Sequence, residues 1–312
     1  MKQNILDIKG ILVGQAEDNK GKTGVTVVIV PDGAVCGVDV RGAAPGTRET
    51  DLLDPVNAME KVNAVVLSGG SAYGLEAASG VMQYLEQKGI GFDVGCTVVP
   101  IVPQAVLFDL AYGDCHCRPD KKMAYIACEN ANNETLKEGS FGAGCGATVG
   151  KLYDMECCTK SGIASYSQTL ENGITVSAII AVNAFGDVIE NGKIIAGTTN
   201  KQKTAFIDTE KTMLEMAYPP AFHGKNTTIG IIATNAALTK AEAKKVAGMA
   251  HDGLARAIRP VHTQLDGDTL FCLSTGEIQS PKPIVDLIGT LAARVTEQTV
   301  IRAVKKANEH TI

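Results

Sequence analysis

The chain has 312 residues, of which 45% are hydrophobic and 20% charged, and its formal net charge is −5. This composition predicts a globular protein with a large core, built as one large domain or two small ones. The negative charge and the absence of a Lys/Arg cluster argue against a nucleic acid partner. No apolar run is long enough to span a membrane and residues 1–7 have no secretory hydrophobic region, so we expect no membrane partner and a cytoplasmic location.

The nine cysteines are irregularly spaced and include no C-x-x-C pair. Cys115-His116-Cys117 and Cys157-Cys158 are too closely spaced for the ligand pairs of a zinc ribbon. We therefore expect free and mostly buried thiols, with Cys115 and Cys117 the most exposed, and no metal site.

The first third of the chain predicts a hairpin, a loop and a strand–turn–helix unit. Residues 25–30 and 34–40 read as two paired strands around a Pro31-Asp32-Gly33 turn, and residues 41–51 as a shaped loop that is either structural or lines a site. Residues 64–67 predict a buried strand, residues 68–74 a tight turn, and residues 75–88 a helix ended by Gly89. The turn is not a nucleophile elbow, because Tyr73 stands where G-x-S-x-G requires glycine.

A second glycine-rich stretch, residues 141–151, is similar to two nucleotide-binding motifs and matches neither well. As a P-loop it fails because Cys145 stands at the first glycine position and Leu152 replaces the Ser/Thr after Lys151. As a dinucleotide fingerprint it follows polar sequence instead of a strand. No nucleotide cofactor is therefore expected.

The remaining chain alternates strands and helices around one polar connection. Residues 160–167 and 174–183 predict two adjacent strands, and residues 197–226 predict a mobile connection with one helix near residues 208–216. A helix should begin with a capping box of Thr239 and Glu242, run to about Ile258 and stop at Pro260. A turn at residues 262–268 then leads into a strand, and residues 284–308 form a last helix.

The junction of Asn226 and Thr227 precedes an apolar, β-branched run, which predicts Thr227 at the mouth of a buried strand. Attack of its hydroxyl on the preceding carbonyl would give an ester by an N-to-O acyl shift, and water would then cut the chain. Thr227 would thereby gain a free α-amine with an ordinary pKa of about 7.7–8.0, which suits a base at neutral pH. The alternative is a loop threonine that merely starts a core strand.

Three segments together carry a resemblance to a known family. They are the junction at residues 226–236, the Arg-Gly…Pro-Gly-Thr-Arg-Glu-Thr-Asp loop at residues 41–51, and the Gly-Ala-Gly-x-Gly-Ala-Thr-Val-Gly-Lys segment at residues 142–151. They resemble the DmpA-like aminopeptidases (L-aminopeptidase/D-esterase and β-aminopeptidase, peptidase family S58). The resemblance implies an α+β fold, an αββα sandwich of two packed mixed sheets between helices. It also implies one self-processing domain, cleaved into residues 1–226 and 227–312.

The resemblance also implies roles for individual residues. Thr227 would be the nucleophile and base, Asn183 the side-chain donor to the oxyanion, and Asp268 an orienting acid, while Asp266 stands where relatives have serine, which leaves its role open. In the absence of the resemblance, Asn183 is a strand terminator and the two aspartates belong to a hairpin turn. The substrate cleft would be shaped by four further residues, Arg41, Ser71, Tyr73 and Gly144.

The implied activity is an aminopeptidase, amidase or esterase acting on small peptide, amide or ester substrates with a free amino group. No metal or cofactor is expected, and a homo-oligomer is expected by analogy. Two alternatives stay open: an acyltransferase of the ornithine acetyltransferase type, in which an amine intercepts the acyl group, and an uncleaved small-molecule-binding protein on the same scaffold.

Overall fold

The computed structural model describes residues 2–153, 155–218 and 226–309. Within these residues the α-helices are α1 (Ala77–Gln87), α2 (Lys121–Glu129), α3 (Thr209–Glu215), α4 (Lys240–Ala257) and α5 (Val285–Asn308). The strands are β1 (Leu12–Asp18), β2 (Thr23–Val40), β3 (Thr47–Arg48), β4 (Lys61–Ser68), β5 (Phe92–Asp93), β6 (Val98–Val99), β7 (Gln104–Val106), β8 (Thr148–Val149), β9 (Thr159–Lys160), β10 (Ile163–Thr169), β11 (Thr175–Ala181), β12 (Asp187–Glu190), β13 (Lys193–Ala196), β14 (Ile229–Ala236), β15 (Ile258–Arg259) and β16 (Thr269–Ile278). Short 3₁₀ turns lie at Ile5–Asp7, Asp51–Leu53, Ser71–Glu76, Gly142–Gly144 and Met155–Cys157.

The largest sheet in the described part of the chain has nine strands and is continuous through β2. Its order is β10-β11-β14-β16-β2-β4-β7-β3, and β1 pairs with β2 outside this path. The second half of β2 pairs with β16 and, at Ala34 and Val35, with the start of β4, whereas its first half pairs with β1 and the rest of β4. The β14–β16 and β4–β7 pairs are parallel and the others antiparallel, so the sheet is mixed.

Three apolar cores show that this sheet folds over on itself. One core joins β11, β14 and β16 to helices α4 and α5, and another joins β2 and β4 to helices α1 and α2. The third fills the space between the two halves, where Ile179, Ile231 and Phe271 pack with Val65 and Leu67. The layering is therefore helix, sheet, sheet, helix, as predicted, with β2 joining two layers that the prediction treated as separate sheets.

The predicted hairpin at residues 25–40 is wrong. Residues 23–40 form one strand, and both of its halves pair with β4 and not with each other. The register shifts between Ile29 and Ala34, and Gly33 has a φ of +73°. The Pro-Asp-Gly segment therefore makes a bulge that bends the strand and does not reverse it, which lets one strand serve both layers.

The helices predicted from capping and periodicity are present. α4 has the expected capping box between Thr239 and Glu242, and α1 ends before Gly89, whose φ is +68°. Strand β1 and helix α2 were not predicted. No helix among the described residues is long and apolar enough to cross a membrane.

All nine cysteines are free thiols. Cys115 is exposed and Cys117 is intermediate, in keeping with the prediction, but Cys96 is also exposed and was not anticipated. Five of the nine are buried, namely Cys36, Cys128, Cys145, Cys157 and Cys272.

Strand order brings three chain segments to one end of the sheet. Ile229 at the start of β14 is level with Thr269 at the start of its parallel neighbour β16. On the other side, Ile229 is level with Ala181 at the end of antiparallel β11. The residues just outside these strand ends, Thr227 and Asn183 among them, must therefore lie side by side.

Candidate active site

Thr227 is buried at the mouth of β14, with only 4% of its surface exposed. Its backbone N–H donates to the carbonyl oxygen of Asn183 at 2.9 Å. Its hydroxyl Oγ1 donates to the carbonyl oxygen of Asn226, the residue before it. The hydroxyl therefore touches the carbonyl group of the peptide bond that the sequence analysis singled out. Residues 219–225, near the end of the connection predicted at residues 197–226, lie outside the described residues.

Gly267 allows the 262–268 turn to approach this hydroxyl. A Cβ atom at position 267 would lie 2.8 Å from Thr227 Oγ1 and 2.4 Å from the carbonyl oxygen of Ala44. Both distances are shorter than a carbon atom tolerates, so any side chain here would displace the threonine or the facing loop.

The side-chain amide of Asn183 is held in one orientation. Its Oδ1 accepts from the Thr148 N–H at 3.1 Å and from Lys151 Nζ at 2.7 Å. Its Nδ2 donates to the carbonyl oxygen of Phe108 at 2.8 Å. An amide nitrogen has two donor hydrogens, so this fixed group keeps a second N–H to offer.

Asp268 and Asp266 are both buried, at 1% exposure each, and both accept hydrogen bonds from backbone amides around Thr227. Asp268 Oδ1 accepts from the Thr228 N–H at 2.7 Å, directly after the predicted nucleophile. Asp266 Oδ1 accepts from the Phe185 N–H at 3.1 Å, two residues after Asn183. The turn thus holds one carboxylate on each of the two strand ends.

Burial shifts the pKa values of two groups at the site in opposite directions. Desolvation, with a further contribution from the neighbouring Asp268 charge, raises the pKa of Asp266 to about 6. Desolvation lowers the pKa of Lys151 to about 7, against an ordinary value of 10.5. A lysine amine with this pKa is partly neutral at pH 7 and can accept a proton.

The arrangement therefore combines a hydroxyl on a peptide carbonyl, a fixed amide donor, an amine of lowered pKa and two buried acids. These groups suit nucleophilic acyl transfer, in which a hydroxyl attacks a carbonyl and polar donors stabilise the oxyanion.

Comparisons with known proteins agree with this chemistry. The profile of peptidase family S58 matches residues 3–312. The chain belongs to peptidase family S58. It is 43% identical to an uncharacterized aminopeptidase of Mycobacterium leprae, over 89% of this chain and 80% of that protein. It is 31% identical to a 6-aminohexanoate-oligomer endohydrolase of Kocuria sp., over 93% of this chain and 80% of that protein.

Among solved structures, the L-aminopeptidase D-Ala-esterase/amidase of Ochrobactrum anthropi superposes with a TM-score of 0.74 at 18% identity. The match covers 98% of this chain and 86% of that one, whose title describes a variant of the Ntn hydrolase fold. The α+β fold of this chain is therefore an Ntn hydrolase fold, and membership of S58 supports a hydrolase.

The S58 loop at residues 41–51 meets the site through its backbone. The N–H groups of Arg41 and Gly42 donate to the carbonyl oxygen of Asp268 at 3.0 and 3.3 Å. The guanidinium of Arg41 instead contacts the Asp39 carboxylate at 3.2 Å and the Gly248 carbonyl oxygen at 2.7 Å. The loop thus braces the turn, while the charged end of Arg41 is engaged with helix α4.

The turn containing Ser71 and Tyr73 is linked to Asn183 by the segment that follows β7. Ser71 N–H donates to the Leu107 carbonyl oxygen at 3.0 Å, and the neighbouring Phe108 carbonyl oxygen receives Asn183 Nδ2. Tyr73 is 60% exposed and lies under a guanidinium, that of Arg118, 3.5 Å from its ring centroid. The backbone of this turn is therefore linked to the segment that contacts Asn183, and a role of the Ser71 and Tyr73 side chains in substrate binding stays a prediction.

Gly144 is buried in the glycine-rich stretch and packs by its backbone. A Cβ atom there would lie 2.2 Å from the Ile163 backbone nitrogen, and its carbonyl oxygen accepts from Lys160 Nζ at 3.1 Å. This close packing fixes the backbone just before Thr148 and Lys151, which both contact Asn183.

Lys151 is a residue of the site whose chemical role was not predicted from the sequence. In the sequence it appeared only as the lysine of a failed P-loop and as the last residue of the segment at residues 142–151 that resembles the family. The signal that could have found it is its place at the end of the glycine-rich segment, where a lysine in mostly apolar sequence is placed in the interior by close backbone packing.

Proposed function

We propose that this S58 member is a self-cleaving amide hydrolase that cuts its own chain between Asn226 and Thr227 and then uses Thr227 as an N-terminal nucleophile. The observation that carries the proposal is the contact of Thr227 Oγ1 with the Asn226 carbonyl. The products would be residues 1–226 and 227–312. No metal or cofactor takes part in this scheme.

In the self-cleavage step, Thr227 Oγ1 attacks the carbonyl carbon of Asn226 and its proton passes to a base. The C–N bond breaks, the nitrogen of Thr227 takes up a proton and becomes an amine, and the Asn226 acyl group is left as an ester on Oγ1. Water then hydrolyses the ester. Lys151 is the amine of lowered pKa next to this site, since Lys151 Nζ and the Thr227 nitrogen both donate to the Asn183 carbonyl oxygen, at 3.2 and 2.9 Å.

In the mature enzyme, the Thr227 α-amine would take the proton of the attacking hydroxyl. The Asn183 carbonyl oxygen already accepts a hydrogen bond from this nitrogen, so the amine is held in place from the moment it forms. The second N–H of Asn183 Nδ2 would stabilise the oxyanion, and Asp268 would hold the strand through Thr228. Asp266 would fix the 262–268 turn against the Asn183 strand end.

The proposed substrates are small amides or peptides with a free amino group. The names of two relatives support this class, since one is an aminopeptidase and the other a hydrolase of 6-aminohexanoate oligomers, which are linear amides with a terminal amine. A homo-oligomer and a cytoplasmic location remain predictions.

Intact mass and N-terminal sequencing of the purified protein test the proposal. We expect chains of roughly 24 and 9 kDa, in proportion to 226 and 86 residues of the 32.6 kDa total, with the smaller beginning Thr-Thr-Ile-Gly. Thr227→Ala should stay intact and inactive, whereas Thr227→Ser should still cleave.

Turnover is then measured on amino-acid p-nitroanilides, on 6-aminohexanoate dimer, and on acetylornithine with a glutamate acceptor. Hydrolysis of the first two supports the proposal, and acetyl transfer in the third would replace it with the acyltransferase alternative. An intact wild-type chain with no turnover would contradict it.

A further inference from the structure

We propose that His262 is a positioning residue that holds Asp268, and through it the Thr228 backbone, in the geometry in which Thr227 reacts. The inference rests on the proposed function of Thr227. His262 precedes the aspartate turn, and neither its motif nor its spacing marked it as part of the site.

The contact between His262 and Asp268 is doubled. Asp268 Oδ2 accepts from the ring Nδ1–H of His262 at 2.8 Å and from its backbone N–H at 3.3 Å. Both donors can reach one oxygen because His262 adopts a left-handed backbone with φ of +55°, an uncommon state for a residue with a side chain. The other oxygen, Oδ1, is then free to accept the Thr228 N–H at 2.7 Å.

The contacts fix the tautomer of the ring. A carboxylate only accepts hydrogen bonds, so Nδ1 must carry the proton that lies between the two groups. The other ring nitrogen, Nε2, is buried and has no hydrogen-bond partner among the described residues. The side chain of His262 is 17% exposed, and Asp268 is the only hydrogen-bond partner of its ring among the described residues.

A second histidine packs against the ring of His262. His251 of α4 is fully buried, and its ring meets that of His262 edge to face at 4.8 Å and 70°. Its Nε2 lies 3.1 Å from the Asp39 carbonyl oxygen. Desolvation lowers the pKa of His251 to about 4, so this ring is neutral at pH 7 and acts as a packing surface.

Asp268 needs such a donor because Asp266 is close by in the same buried turn. Two carboxylates in one buried site disfavour each other's ionisation. The pKa of Asp266 is raised, while the Asp268 carboxylate receives the ring N–H of His262 and two backbone N–H groups, those of His262 and Thr228. The two donors of His262 therefore fix the side-chain rotamer of Asp268.

Loss of the ring donor should affect the chemical step more than substrate binding. An Asp268 carboxylate without this donor rotates more easily, and this rotation releases the Thr228 N–H. Misplacement of a reacting group by about 1 Å can cost about 10²-fold in rate. We expect kcat to fall and KM to change little.

The experiment compares His262→Ala with His262→Asn, whose side-chain N–H can replace the ring Nδ1–H, and with His116→Ala, an exposed histidine in the loop before α2, as the matched control. Self-cleavage rate, kcat and KM are measured at one pH near neutrality.

His262→Ala should lower kcat about 10- to 100-fold and leave KM nearly unchanged. His262→Asn should recover most of the lost rate. His116→Ala should match wild type.

Two results would overturn the inference. One is a His262→Ala enzyme with unchanged kcat. The other is an equal loss of kcat in the Ala and Asn variants, which would mean that the ring serves only packing. If His262→Ala fails to fold, the Asn variant and a Gln variant, whose donor sits one bond further out, make the same comparison. Failure of the proposed function would appear instead as activity in Thr227→Ala.

Discussion

Replacement of Lys151 by methionine should make the protein more stable and much less active. Methionine keeps most of the length of the lysine stem and removes the amine. The two Asn183 oxygens that the amine contacts each retain another donor, since the Thr227 N–H binds the carbonyl oxygen and the Thr148 N–H binds Oδ1. The substitution therefore leaves no acceptor of Asn183 without a hydrogen bond.

The gain in stability follows from the lowered pKa. A difference of one pKa unit corresponds to about 1.4 kcal/mol, so a lysine shifted from 10.5 to about 7 carries a charging penalty of at most about 4 kcal/mol at pH 7. The loss of its two hydrogen bonds to Asn183, each worth about 0.5–1.5 kcal/mol, offsets part of this. We expect Lys151→Met to gain about 1–3 kcal/mol in free energy of unfolding.

The sign of the pH dependence can be checked independently. Between about pH 7 and 10.5 the unfolded chain binds a proton at Lys151 that the folded chain does not, so wild-type stability rises with pH over this window. The difference in free energy of unfolding between the methionine variant and wild type should therefore be largest near pH 7 and shrink toward pH 10. Urea denaturation at pH 7, 8.5 and 9.5 measures this difference.

Activity should change in the opposite direction. A positioned base contributes about 10²–10⁴-fold to a proton transfer, so self-cleavage of Lys151→Met should slow by at least about 10²-fold. Lys151→Arg separates two roles, because arginine keeps a charge on Asn183 but does not accept a proton at pH 7. A methionine variant that is less stable than wild type and cleaves at the normal rate would refute the reasoning.

Three further predictions concern neighbouring groups. Asn183→Ala should lower kcat about 10²–10³-fold with little effect on KM, measured on the best p-nitroanilide substrate, because it removes the oxyanion donor; equal activity would exclude this role. Asp266→Asn should be more stable above about pH 6, because the raised pKa of Asp266 makes wild type lose stability as pH rises from about 4 to 6; urea midpoints at pH 4.5 and 7 should differ less in the variant. Gly267→Ala should block self-cleavage by placing a methyl group 2.8 Å from Thr227 Oγ1, whereas Gly276→Asn, at a site with open space, should cleave normally in the same mass assay.

Local sequence signals predicted four of the five described α-helices, all but α2, and two of these helices carry a clear start or stop signal. The capping box at Thr239 and Glu242 and the glycine after α1 act within a few residues, so no tertiary contact can override them easily. The hairpin at residues 25–40 failed for the opposite reason. A Pro-Asp-Gly segment allows a turn or a bulge, and the choice was decided by the pairing of both halves with β4, over 20 residues away in sequence.

The same contrast between local and long-range effects separates the site residues that could be predicted from the one that could not. Thr227, Asn183, Asp266 and Asp268 could be proposed because resemblance ties them to positions in a family, and strand order brings these positions to one sheet end. Lys151 could not, because its lowered pKa arises from burial by segments remote in sequence, and no local pattern encodes burial of a charge.

The position of β14 between two strands bears on what self-cleavage would do to the fold. β14 pairs with β11 on one side and with β16 on the other, and the Thr227 nitrogen is held by the Asn183 carbonyl oxygen. Hydrolysis of the preceding peptide bond would remove none of these hydrogen bonds and none of the apolar contacts of Ile229, Ile231 and Ile232 with the two cores.

We therefore expect the two chains to stay together after the cut. The processed protein should elute as one species in gel filtration under native conditions and separate only in denaturant. Its unfolding midpoint in urea should lie close to that of Thr227→Ala, which keeps the peptide bond and loses one methyl group and one hydroxyl. Separation of the 9 kDa chain without denaturant would show that the sheet pairing of β14 does not hold the new N-terminus, and the amine of Thr227 would then have no fixed place from which to act as a base.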